Sequence, residues 1–99
     1  MATQVSLLSG AVASAGSLLL QTNGTTTQAT IDTSGNLGLG VTPSAWISTR
    51  VGLDIGSYGA LVGNNSGGVS ILFNSYRSAS AYVAKNTGQC SFYDQSGGA

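Results

Sequence analysis

The 99-residue chain predicts an all-β fold of short antiparallel strands joined by tight Gly/Asn turns. Three observations carry that reading. Apolar residues alternate with small or polar ones over short runs, the period of a strand with two unlike faces. Clusters of Gly, Asn, Ser and Asp interrupt these runs so that candidate strands begin about every 8–12 residues, the spacing of sandwiches, barrels and β-prisms. No amphipathic stretch of about 10–15 residues is present to cover a parallel sheet with helix. Composition sharpens the class. Charged residues make up 6% of the chain, against about 25% in an ordinary soluble domain. Disordered chains are poor in bulky apolar residues and rich in charge, whereas this one is 41% hydrophobic with 15 glycines. A low-charge, strand-forming chain rich in Gly, Ser, Thr and Asn has the composition of a fibrous β assembly.

In chain order, residues 1–16 are small, mildly apolar and free of charged side chains. A secretion signal needs a basic start and an unbroken apolar run, and Ser9, Gly10 and Ser14 break this one. The segment is also too short and polar to span a membrane. Residues 17–21 read as a strand, followed by a turn at Asn23-Gly24, the strongest short hairpin signal in the chain. Residues 28–32 pair back, with Ala29 and Ile31 on one face. Thr33-Ser34-Gly35-Asn36 is a turn by chemistry, since Gly and Asn accept positive φ. Leu37, Leu39 and Val41 then alternate with Gly38 and Gly40. Bare backbone on one strand face implies that something approaches closely there or that the chain coils tightly, a pattern useful to chains wound side by side. Gly35, Gly38 and Gly40 are therefore read as backbone requirements.

Pro43 stops pairing because it has no N–H. Residues 43–48 could form one helical turn capped by Thr42, carrying Trp46 either as a core or interchain anchor or as a sugar-stacking surface. Residues 50–55 alternate, with Val51, Leu53 and Ile55 opposite Arg50, Gly52 and Asp54. Residues 58–62 follow the Gly56-Ser57 break, and 63–68 form a loop by composition. Residues 69–76 read as one strand with Val69, Ile71 and Phe73 on one face. Residues 80–85 and 89–94 read as strands around an Asn86-Thr87-Gly88 turn, which would set Lys85 opposite Gln89.

The string Asp32-Thr33-Ser34-Gly35-Asn36-Leu37-Gly38-Leu39-Gly40-Val41-Thr42-Pro43 resembles a recurring unit of bacteriophage tail fibres and related virion appendages. There the pattern D-x-S-G-N-V-G-I-G-x-x-x-P recurs between β-rich segments; here the proline falls one residue earlier. The upstream Leu18–Thr27 run is similar to the flank common in such fibres, and the likeness covers about residues 17–45. The resemblance implies an intertwined homotrimer, attachment to the virion through the N-terminus, and a longer chain whose distal parts bind a host-surface glycan or protein.

The chemistry-bearing inventory is thin. Three acidic and three basic residues give a net charge of zero, with a pI near 5.8. Arg50, Arg77 and Lys85 cannot supply the many phosphate contacts that hold DNA, so no nucleic-acid partner is expected. With no His and a single Cys90, usual zinc sites and Cys–His nucleophiles are excluded. Asp32 and Asp54 could be imagined as a glycosidase pair. Asp32 is more simply a turn residue, however, and Asp54 a strand residue on the face of Arg50. No catalytic residue, metal or cofactor is assigned, and an enzyme is not expected.

These readings divide the chain into a virion-anchoring segment at 1–16, a fibre-repeat-like β segment at 17–45, and a β-rich domain at 46–99 that continues into a longer protein. Val5, Leu7 and Leu8 are the candidate attachment residues, with tail, baseplate or adaptor proteins as partners. Leu37, Leu39, Val51, Leu53, Ile71 and Phe73 are the candidate interchain core, because the aliphatic stripe has no evident second layer within one chain. Short strands leave edges that must be paired or covered, which independently favours assembly. The expected role is structural, in a tail fibre or spike linking the particle to a distal recognition region. The strands are expected to build an intertwined trimeric fibre or β-prism, or a β-sandwich-like segment; the alternative role is a self-contained capsid-surface or carbohydrate-binding β-domain.

Overall fold

A computed structural model describes residues 8–64 and 67–96, with the side chains of 92, 94 and 96 excepted. All regular structure among them is β. The strands are β1 (Leu18–Thr22), β2 (Thr26–Ile31), β3 (Leu37–Leu39), β4 (Arg50–Ile55), β5 (Gly59–Asn64), β6 (Gly68–Phe73), β7 (Ser75–Arg77), β8 (Tyr82–Ala84) and β9 (Ser91–Ser96). Seven of them form one sheet in the order β1-β2-β3-β4-β5-β6-β9, and β7 and β8 form a separate two-stranded sheet. The 17–45 and 46–99 parts of the chain share the large sheet, because β3 pairs with β4.

The turns follow local chemistry. Asn23 and Gly24 take positive φ between β1 and β2, at 51° and 85°. Gly35 has φ 87° between β2 and β3. In that turn the Asp32 Oδ1 accepts from the Ser34 and Asn36 amides, both at 2.9 Å. The Asn36 side chain then reaches outward, its Oδ1 accepting from the Gly52 amide at 2.8 Å. One asparagine thus stitches the turn to β4.

Four expectations need correction. The strands are not uniformly antiparallel, because β3 and β4 run parallel, with Leu37 opposite Leu53 and Leu39 opposite Ile55. The crossover between them is irregular backbone rather than helix, and residues 43–48 form no helical turn. The Ser44 amide and hydroxyl are instead committed to Asp54, each at 2.9 Å. The expected strand over 69–76 breaks at Asn74, whose φ of 58° turns the chain out of the large sheet and into the small one. Finally, Asn86–Gly88 closes no hairpin: β8 pairs with β7 and β9 with β6, so this turn carries the chain between sheets.

The protomer's own core is small and lies on one face of the large sheet. Among the described residues, Trp46, Ala60, Val62 and Leu72 are its buried apolar members, with Tyr76 and Tyr82 packed against them. The 41–49 crossover and the β7–β8 sheet supply the covering layer. Such a core is modest for the chain. The exposed surface is 6730 Å², against about 5,200 Å² for a compact monomer of this mass. The radius of gyration is 15.7 Å, against about 12.6 Å for a compact domain of this length.

Candidate assembly surface

Strand alternation gives the large sheet two unlike faces. On the covered face lie Thr30, Gly38, Gly52, Asp54, Ala60, Val62, Ser70 and Leu72, all buried. On the opposite face, register aligns side chains in straight rows across the sheet. One row runs Leu18, Ile31, Leu37, Leu53, Leu61, Ile71, Tyr93. A second runs Leu20, Ala29, Leu39, Ile55, Gly59, Phe73, Ser91. Val51, Gly63 and Val69 begin a third. No residue of these rows is buried; Ile55 is 50% exposed, Val69 54% and Phe73 58%.

All six residues expected in an interchain core, Leu37, Leu39, Val51, Leu53, Ile71 and Phe73, fall on this one open face. The stripe also includes Ile55, Leu61 and Val69, which sequence reasoning left out of the core. The clue was available for Leu61, flanked by the smaller Ala60 and Val62, but either phase of that run was apolar. None of the five charged side chains that are described lies on the open face. Asp54 and Lys85 meet on the covered side, Arg50 shares the parity of Asp54, Arg77 stacks over the Tyr82 ring at 5.5 Å, and Asp32 is held in its turn.

The face is large enough to matter. Six interstrand gaps of about 4.8 Å and strands of about 17 Å give roughly 500 Å². That is within the range of about 300–600 Å² for the largest apolar patch on a typical monomer, a patch that is often functional. Glycine at 63 leaves a recess between Val51 and Val69, and a Cβ there would meet nothing within 4 Å.

The covered side is held by a polar node rather than by a large apolar core. The Asp54 carboxylate, fully buried, accepts from the Ser44 amide and hydroxyl, from Trp46 Nε1 at 2.9 Å, and from Lys85 Nζ. Lys85 Nζ also donates to the Gly59 carbonyl at 3.0 Å. Burial works against charge on Asp54, but the Lys85 ammonium and the Ser44 and Trp46 donors outweigh it and hold its carboxyl below the usual range. The indole of Trp46 lies directly on bare Gly52: an added Cβ would fall 2.3 Å from Trp46 Cε2. Trp46 is 7% exposed and meets Tyr76 edge to face at 5.9 Å. It is an intrachain anchor and offers no face for sugar stacking.

The remaining expected site residues are placed as follows. Gly35 and Gly40 hold positive φ, at 87° and 71°. Gly38 is approached closely, but by its own chain: a Cβ would stand 2.0 Å from the Val41 carbonyl oxygen and 3.1 Å from Pro43 Cδ. The close approach read from the glycine pattern is therefore the chain folding back after β3, not a neighbouring copy. Leu8 is 97% exposed, while Val5 and Leu7 lie outside the described residues. Among the described residues no group of three His, Cys, Asp or Glu side chains converges on a metal-sized site, and no helix is long and apolar enough to cross a membrane. Asp32 and Asp54 serve separate structural networks. Comparison with protein-family models, with curated proteins and with solved structures finds no match.

Proposed function

We propose that this chain is a structural, non-enzymatic segment of a bacteriophage virion appendage, a tail fibre or spike, that assembles as a homotrimer around its open apolar face. The observation that carries the reading is that face: seven strands wide, free of described charge and with no residue of its rows buried by the described part of the protomer. The fibre-like Asp32–Pro43 unit supplies the class of assembly and the number three.

Simple geometry sets the strand direction within a three-fold arrangement. Three sheets facing a common axis enclose a triangle, whose side is about 3.5 times the distance from sheet to axis. Packed sheets stand about 10 Å apart, so each side-chain layer reaches about 5 Å and fills a triangle about 17 Å on a side. A five-residue strand is about 17 Å long. Strands running across the axis therefore fit. Strands along the axis would make the side about 29 Å and leave each sheet about 8 Å from the centre, too far for apolar side chains to meet. In this β-prism Leu53, Leu61 and Ile71, at mid-strand, point to the axis.

In the particle the segment links virion proteins to a distal region that recognises the host surface, and residues 1–16 attach it. Its location is the virion. Among the described residues four buried apolar side chains make up the protomer core, a slender basis for the competing reading as a self-contained surface domain. Sedimentation equilibrium at micromolar concentration tests the proposal: three chain masses are expected, and a folded monomer overturns it. Detection of the chain in purified particles tests the virion role separately.

A further inference from the structure

We infer that the two open edges of the large sheet, β1 and β9, join between copies of this chain, so that assemblies stack end to end along the axis. The inference rests on the prism reading for the direction of that axis, but the edge contact itself follows from topology. Each edge strand has one hydrogen-bonding side without a strand partner among the described residues. Such edges template pairing with another chain unless they are guarded. The β1 sequence Leu-Leu-Leu-Gln-Thr has no proline and no charged residue, and its bulge comes only after Leu20; β9 has one charged residue, Asp94, at the register position of Ser70 on the covered face.

Polarity, phase and length all match. From β1 to β9 the strands point up, down, up, up, down, up, down, since every neighbouring pair except β3–β4 is antiparallel. A copy displaced straight across the strands thus brings its β1 antiparallel to the first copy's β9. Translation keeps both apolar faces on the same side. Extending the rows without stagger sets Tyr93 beside Leu18, Phe92 beside Leu19 and Ser91 beside Leu20 of the next copy. The strands have 5 and 6 residues. Such a contact is heterologous, using two different patches, and so grows without limit unless it closes into a ring. With strands across the three-fold axis, both edges point along that axis, and each added trimer lengthens the rod by about 34 Å, seven strand spacings.

The test is a cysteine pair in the full chain with Cys90→Ser, carrying Leu20→Cys and Ser91→Cys. Directly opposed antiparallel residues have Cα atoms about 4.5–5.5 Å apart, within disulfide reach. Within one parallel trimer these positions lie at opposite ends, about 29 Å apart, and cannot bridge. Oxidation should give a ladder of covalent multimers larger than a trimer, collapsed by reductant, from protein with the parent's strand signal in circular dichroism. A series ending at the dimer, or no cross-link in folded protein, overturns the inference. The unmodified chain gives a second reading should the variant not fold. Small-angle scattering at rising concentration should show rods lengthening at constant cross-section, and a fixed length overturns the stacking. A ladder built from single chains would leave the edge contact standing and remove the three-fold reading.

Discussion

Lys85 Nζ lies 2.6 Å from Asp54 Oδ1, with the two side chains 6% and 0% exposed. The pair joins β4 of the large sheet to the end of β8 in the small one. Asp54 also receives Ser44 and Trp46, so a single carboxylate fastens the crossover, the small sheet and the large sheet together. Breaking one partner of a buried, hydrogen-bonded pair costs about 3–5 kcal/mol, because the other charge is left uncompensated. Asp54→Asn should therefore lower the urea midpoint sharply, by more than Lys85→Met, which leaves the carboxylate three other donors. Equal midpoints for parent and Asp54→Asn would show that the node carries no stability.

The same carboxylate predicts an acid transition. Its pKa in the folded chain lies below the ordinary 3.8, so its stabilising contribution is present above the unfolded value and is lost as pH falls through the folded one. Denaturant midpoints should hold between pH 7 and about pH 5 and drop below about pH 4. In Asp54→Asn that drop should be smaller.

Glycines at 52 and 63 should respond oppositely to alanine. At Gly52 the new methyl collides with the Trp46 ring. The indole must move and lose its bond to Asp54, at a cost of about 1–3 kcal/mol as for other overpacked sites. A red shift in tryptophan fluorescence would accompany the loss. At Gly63 a methyl meets open space in the protomer, so Gly63→Ala should leave protomer unfolding unchanged. Gly63→Leu, which fills the recess between Val51 and Val69, should weaken assembly alone, read as a shift toward lower mass in sedimentation.

Charge on the open face should separate folding from assembly. Leu53→Asp and Leu61→Asp each place a carboxylate where the proposal puts the axis. Each also removes apolar burial worth about 1.5–3 kcal/mol. Trimer should give way to monomer, while the Trp46 environment on the other side of the sheet stays as in the parent. Unaltered mass in both variants would remove the face from the interface.

Asn74 should matter through its side chain as well as its backbone. Its Nδ2 donates to the Asn86 and Gln89 carbonyls, both at 3.0 Å, and its Oδ1 accepts from the Asn86 amide at 2.8 Å. Asn74→Gly keeps the φ of 58° accessible but deletes those bonds, each worth about 0.5–1.5 kcal/mol, since the exposed Asn86 and Gln89 can turn to water. Protease cutting between residues 77 and 90 should rise markedly. Asn74→Ala, which adds backbone strain, should be worse.

The sequence by itself determined the all-β class, the positions of most strands, the Asn23-Gly24 and Gly35 turns, and the shared face of Leu37, Leu39, Val51, Leu53, Ile71 and Phe73. These are local properties: period-two alternation assigns faces, and positive φ selects Gly or Asn, without reference to distant residues. Only the tertiary structure decided which residues meet across long separations. Nothing near Asp54 announced Lys85, and alternation alone set it beside Arg50. Nothing in the run 69–76 marked Asn74 as a break, because its residues suit a strand equally well on either side. The helical turn at 43–48 lost to a buried carboxylate that could use the Ser44 amide better than a cap could. Parallel pairing of β3 with β4 likewise depends on where the crossover can pack, with its Trp46 laid on Gly52. Burial and long-range polar satisfaction settle such choices, and both are properties of the assembled chain rather than of any stretch of it.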